Sequence, residues 1–322
     1  MEVVLWAGFI VMILGLLALD LGVFHRKSHT ISAREALFWT FVWVLLALLF
    51  NVFLYYAYDN HWLGIGLDYG NKAPADEAAI QFLTGYLVEK SLSIDNIFVM
   101  AMIFSYFGVP QKYQHEILFW GILGALVLRG IMIIVGTTLI NQFSWVIYIF
   151  GALLLFSAYK MYTSGDEEIE PEKNPFIKVV KKFFPVSTSM QESKFFTKID
   201  GKTAVTPLFI VLIVVETTDV MFAFDSIPAI FAVTTDAFIV FTSNVFAILG
   251  LRSLYFILAA VLDKFKYLKK SLVFILTFVA IKMLVSHFYK IPAFVSLSII
   301  VLALTVGIVA SLLATQKKIE KA

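Results

Sequence analysis

The chain alternates long apolar stretches with short polar ones, and the length of those stretches sets the first expectation. A helix needs about 20 apolar residues to cross a hydrocarbon core about 30 Å thick. Windows of that kind fall at residues 3–24, 35–57, 79–105, 115–139, 143–163, 206–233, 238–262, 271–289 and 292–314. The pattern predicts an all-α, polytopic membrane protein of nine helices, with residues 1–322 forming one membrane domain. No basic stretch precedes the first window and no small-residue cleavage site follows it, so it is expected to be a retained span rather than a signal peptide.

Two polar segments interrupt the apolar ones. Residues 164–205 form the longer, mixed in charge, broken by Pro171, Pro175 and Pro185, and too short for a core of its own. It reads as a solvated cytoplasmic loop with a short amphipathic helix around Phe176–Phe184, lying on the inner leaflet. Residues 58–78, with Gly64, Gly66, Gly70 and Pro74, form an outer loop whose acids could gather cations, although a plain solvated loop is the simpler reading.

Composition agrees with a membrane protein: 60% of residues are hydrophobic and 15% charged, with a mean hydropathy of +0.88. The net charge of +2 says little, but the placement of the basic residues says more. They gather after the first window (Arg26, Lys27, Arg34), after the fifth (Lys173 to Lys202), after the seventh (Lys264 to Lys270) and in the tail. Positive residues mark cytoplasmic loops, so the N-terminus is expected outside and the C-terminus in the cytoplasm. The chain has no cysteine, which excludes disulfides, thiolate metal sites and cysteine nucleophiles. No P-loop, dinucleotide fingerprint, Ser-His pair or nucleic-acid patch is present, so neither an organic cofactor nor a nucleic-acid partner is expected.

The costly residues then stand out. Glu216-Thr-Thr-Asp219-Val-Met-Phe-Ala-Phe-Asp225-Ser226-Ile-Pro228 lies inside the sixth window. Each charge at the bilayer centre costs roughly 3 kcal/mol or more, so three carboxylates require a ligand or a partner. Pro228 removes a backbone donor, and a helix break beside it is expected to bring Asp219 and Asp225 together; the third window has no such proline and would have to distort at Ser91-Leu-Ser93.

The same spacing appears earlier. Glu89 and Asp95-Asn96 in the third window match Asp219 and Asp225-Ser226 in the sixth, Arg129 matches Arg252 one window on, and Lys160-Met161 matches Lys282-Met283 in the window after that. Three successive helices recur, and an odd number of spans inverts the second copy. The chain is thus divided into a first repeat at 79–163, the loop at 164–205, a second, inverted repeat at 206–289, and a last helix and tail at 290–322. Inverted repeats place their substrate near the bilayer midplane.

Carboxylate, amide and hydroxyl oxygens without thiolate suit hard divalent cations such as Mn²⁺, Mg²⁺ or Ca²⁺. The candidate ligands are Asp95, Asn96, Glu216, Asp219, Asp225, Glu89 and Ser226. Arg129, Arg252 and Lys282 are counter-charges that hold the site when it is empty; the plainer alternative makes the whole set a salt-bridge lattice. His25, His29, His61, His115 and His287 lie at window edges without paired spacing, which favours interfacial packing over metal binding. Asp20 and Asn51 could line an exit path, but snorkelling or helix–helix hydrogen bonding is the simpler reading for them. Met100, Met102 and Met221 flank the acidic segments; packing is again the simpler reading, although a thioether facing the ion would favour Mn²⁺. Two intramembrane aspartates also suggest an aspartyl protease, but Phe222-Ala223-Phe224 stands where such enzymes carry Gly-x-Gly, and no enzyme activity is expected.

The segments Phe82-Leu-Thr-Gly85-Tyr-Leu-Val-Glu89-Lys-Ser-Leu-Ser-Ile-Asp95-Asn96 and Glu216 to Thr234 resemble the two signature segments of the TerC family of integral membrane proteins, closest to its Alx-type members. The likeness extends to Phe104-Ser-Tyr-Phe-Gly-Val-Pro110 and to Leu249-Gly-Leu-Arg252. The resemblance implies a bacterial inner-membrane protein that exports Mn²⁺ from the cytoplasm, with Glu89, Asp95, Asn96, Glu216, Asp219 and Asp225 at the family's acidic signature positions. The surplus of carboxylates suggests exchange against protons. The alternative the resemblance carries is a membrane-bound redox or metal-stress modulator, linked to tellurite resistance, that transports nothing itself.

Overall fold

A computed structural model describes residues 2–22, 33–67, 72–143, 145–163, 175–187, 194–199, 202–258, 267–286, 288–289 and 291–319. A helix occupies every predicted window: α1 (Glu2–Gly22), α2 (Ala33–Asp59), α3 (Ala75–Tyr106), α4 (Gln111–Gln142), α5 (Val146–Thr163), α7 (Pro207–Phe231), the pair α8 (Ala237–Leu249) and α9 (Leu251–Leu258), α10 (Leu268–Val285) and α11 (Ala293–Ile319). By length and apolarity five of these can cross a membrane, namely α2, α4, α5, α7 and α11, and the bent pair α8–α9 makes a sixth. In α1 the apolar part is shorter. Glu89, Lys90 and Asp95 interrupt the apolar run of α3, and α10 carries Lys269, Lys270 and Lys282.

The expected amphipathic helix forms as α6 (Pro175–Phe183), and the 164–205 segment also contains an antiparallel hairpin that its composition did not suggest. Strand β1 (Phe196–Ile199) pairs with β2 (Lys202–Val205), Phe196 opposite Val205. Val186 adds a parallel bridge to Val205.

Local chemistry explains where several helices start and stop. Gly108 takes a left-handed φ of 59° in the turn between α3 and α4, where Val109 N–H returns to the Phe104 carbonyl, a conformation that costs glycine little. Pro207 opens α7, where its missing N–H is no loss. Asp236 caps α8 by accepting from the backbone N–H groups of Phe238 and Ile239, and its other oxygen accepts from Tyr58 Oη at 2.5 Å. Tyr58→Phe removes this hydrogen bond to a buried carboxylate and is expected to cost about 1–3 kcal/mol, seen as a lower thermal midpoint in detergent.

The helix break expected at Pro228 is absent. Helix α7 runs through Pro228 to Phe231, because a proline removes one hydrogen bond and neighbouring helices can hold the turn. Helix α3 is also continuous through Ser91-Leu-Ser93, with the Ser91 hydroxyl bonded to the Leu87 carbonyl of its own helix. The bend lies one helix later, at 42° between α8 and α9, beside Gly250. There Lys90 Nζ donates to the Ala247 carbonyl at 3.1 Å, and a Cβ on Gly250 would come within 2.8 Å of that ammonium.

Packing is reciprocal between the two halves. Helix α3 packs chiefly on α8, α4 on α7, and α5 on α10. One buried cluster joins α1, α2, α3, α4, α6, α7, α8 and α9, with Phe50, Phe82 and Phe246 in mutual contact; another joins α3, α4, α5, α7, α8, α10 and α11. Outward faces of α1, α2, α5 and α11 expose large apolar side chains such as Val3, Phe41, Phe156 and Leu302, as a hydrocarbon-facing surface requires.

Candidate functional site

Arg129, on α4, is 2% exposed and is the hub of the site. Its Nε and Nη2 grip Asp219 of α7 at 3.2 and 3.1 Å, a two-point clasp suited to a planar guanidinium. Its Nη1 is ion-paired to Glu89 of α3 and donates at 3.2 Å to both Ser226 Oγ of α7 and Asn244 Oδ1 of α8. Asn244 Nδ2 donates in turn to the second oxygen of Glu89 at 3.2 Å. Four helices thus send one residue or more into a single polar knot among apolar neighbours. Asp219 and Ser226 can both take part because seven residues are nearly two full turns, which returns them to the same face.

The knot holds two carboxylates and one guanidinium, so with both acids ionised it carries one net negative charge. Glu89 and Asp219 are 0% and 4% exposed, and buried charges of this kind persist only when paired and hydrogen-bonded. Glu216, one turn before Asp219, is adjacent. Its Oε2 is buried and finds no hydrogen-bond partner among the described residues. The carboxylate fits only because position 124 on the facing α4 is glycine, where a Cβ would overlap it. Gly124→Ala is therefore expected to destabilise the protein by about 1–3 kcal/mol, an overpacking cost. Thermal unfolding should show the loss, and Glu216→Ala in the same chain should restore the midpoint.

The remaining candidates lie elsewhere. Asp225 does not meet Asp219: six residues along an unbroken helix turn it toward α5, where it accepts from Ser157 Oγ at 2.5 Å and interacts electrostatically with Lys160. Asn96 is buried on α3, whereas the Asp95 side chain lies outside the described residues. Arg252 on α9 and Lys282 on α10 are buried, 3% and 8% exposed, and neither is among the hydrogen-bond partners of the Arg129 knot. Met221 is 62% exposed and faces away from it, Met100 is buried in the packing core, and His25, His29, His287 and the Asp20 side chain are outside the described residues. Among the described residues no three His, Asp or Glu side chains are grouped closely enough to hold one ion. Asn244, Ser157 and Gly124 carry no signal in the sequence, since isolated small polar residues and glycines are common in membrane helices.

Fold and site together define a polytopic membrane protein with a charged centre shared by α3, α4, α7 and α8. The pattern of the integral membrane protein TerC family matches residues 75–319, and the chain belongs to that family. It is 47% identical over 312 residues to an uncharacterized membrane protein of Myxococcus xanthus, covering 97% of this chain and 93% of that one. It is 47% identical over 298 residues, 92% of this chain and 90% of the relative, to an Escherichia coli K12 protein with the provisional name membrane-bound redox modulator Alx. A Rickettsia bellii membrane protein is 41% identical over 308 residues, 96% of this chain and 97% of its own. No solved structure matches the chain.

Proposed function

We propose that the protein exports Mn²⁺ across the cell's inner membrane, with its N-terminus outside and its C-terminus in the cytoplasm, in exchange for protons. The observation that carries this reading is the Arg129 knot. Every group that Arg129 contacts is an oxygen: Glu89, Asp219, Ser226 Oγ and Asn244 Oδ1. The guanidinium occupies the place of a cation, tethered to α4. A hard divalent ion entering the same oxygens would displace it, and its return would help expel the ion. Glu216, one turn from Asp219 and with an unpartnered oxygen, is the carboxylate that would have to swing in to complete the shell, since the three acids are not grouped around one point as they stand.

Reciprocal packing of α3 on α8 and of α4 on α7 supports the inverted three-plus-three repeat. In such a repeat α3 and α7 run in opposite directions, so Asp95 and Asp225 lie on opposite sides of the centre, each about 9 Å along its helix at 1.5 Å per residue. They would serve as stations on the way in and out, Asp225 with Ser157 and Asp95 with Asn96, rather than as ligands of one central ion. Alternating access would use the bent pair α8–α9. Its outer half is held by Tyr58 on Asp236, and its inner half by Tyr255 Oη on Gln114 Oε1 at 3.1 Å.

The relatives' name favours a second reading, redox modulation. A chain without cysteine could affect redox state only through a metal or a partner, which export of manganese would itself do. Expression in a bacterial host under manganese load should lower total cell manganese, measured by elemental mass spectrometry. Unchanged manganese would contradict export.

A further inference from the structure

The apolar arc of α6 is wider than the protein covers. At about 100° per residue, Ile177 and Val180 fall on one side, and Phe183 on the adjoining flank. The first side is docked: α6 packs on α7, with Ile177 buried and Val180 half-buried. The flank is not, for Phe183 is 71% exposed. Lys178 and Lys182, one turn apart and both exposed, project from the opposite side of the helix.

The hairpin repeats the combination. Phe196 is half exposed and its ring packs, tilted, 4.8 Å from that of Phe209, in the first turn of the apolar helix α7. Lys198, two residues on, shares its face of the strand and is exposed. In residues 175–205 six lysines, Lys178, Lys181, Lys182, Lys194, Lys198 and Lys202, outnumber two acids, Glu192 and Asp200. The acids of the segment cluster in 164–174, apart from Glu192 and Asp200, and all of them lie outside the described residues.

We infer that α6 and the β1–β2 hairpin form a binding site for anionic phospholipid headgroups, with Phe183 and Phe196 inserted at the acyl boundary and Lys178, Lys182 and Lys198 on the phosphates. Exposed aromatic rings beside a span, bordered by an excess of lysines, match the chemistry of an interface that is apolar below and negative above. A soluble acidic protein would meet the lysines but leave the rings in water. The site does not depend on the ion that the membrane domain carries.

The absence of native cysteine makes a direct test available. Phe183→Cys and Lys178→Cys, each spin-labelled in the full chain, are placed in nanodiscs of phosphatidylcholine alone or with phosphatidylglycerol, and label accessibility to oxygen and to a water-soluble nickel chelate is measured. Position 183 should favour oxygen and position 178 the chelate, and the contrast should sharpen with the anionic lipid. Native mass spectrometry should show wild type retaining phosphatidylglycerol over phosphatidylcholine, with roughly fivefold loss of that preference for each of Lys178, Lys182 and Lys198 changed to Ala. Chelate-accessible labels at 183 in both lipids, or equal retention by the triple variant, would overturn the site. A folded variant is confirmed by an unchanged thermal midpoint in detergent.

Discussion

Arg129→Met should destabilise the protein by about 3–5 kcal/mol, the largest stability effect of any single change considered, because it strands Glu89 and Asp219 as buried carboxylates without a counter-charge. The cost comes from the acids left behind more than from the bonds removed. Adding Glu89→Gln and Asp219→Asn to the same chain should therefore recover most of the loss, since neutral amides need no cation. Thermal unfolding in detergent across this cycle measures the coupling directly. Arg129→Lys should fall between wild type and Arg129→Met, because an ammonium keeps the counter-charge but cannot make the two-point clasp on Asp219 and also reach Glu89, Ser226 and Asn244. If Arg129→Met melts with wild type, the knot contributes nothing and the acids are satisfied in some other way.

The second large effect is on ion binding. Glu89→Gln and Asp219→Asn should each weaken Mn²⁺ binding by roughly 100-fold or more, since losing an outer-shell partner alone costs 10–100-fold and these residues are assigned as direct ligands. Asp225→Asn should behave differently. Its carboxylate bonds Ser157 on α5, away from the Arg129 knot, so calorimetry should find near wild-type affinity while the transport rate falls. Equal losses of affinity in all three variants would mean that the helices rearrange to gather every acid around one ion.

The mostly helical, polytopic character could be read from the sequence because a bilayer asks about 20 apolar residues of every span, although only five of the helices, or six with the bent pair α8–α9, meet that length. Helix α6 was legible because Ile177, Val180 and Phe184 recur at helical spacing among lysines. Glu89, Asp219 and Arg129 were legible for a related reason: charge in an apolar window is expensive enough to demand an explanation. Asn244 was not, since an asparagine in a membrane helix is unremarkable until Glu89, 155 positions earlier, is found against it. Pro228 misled because the cost of a missing donor depends on what surrounds the freed carbonyl. At Gly250 a donor is supplied from another helix by Lys90, and that is where the helix bends. Gly124 looked like any small residue until Glu216 was seen to fill the space beside it.

The most direct test of the central claim is ion flux into proteoliposomes containing purified protein, with Mn²⁺, Mg²⁺ and Ca²⁺ compared at equal concentration, with and without an imposed pH gradient. The account predicts preferential Mn²⁺ movement that responds to the gradient and that disappears in folded Glu89→Gln and Asp219→Asn. Flux equal to that of empty liposomes for every ion, or Mn²⁺ flux that survives both substitutions, would contradict it.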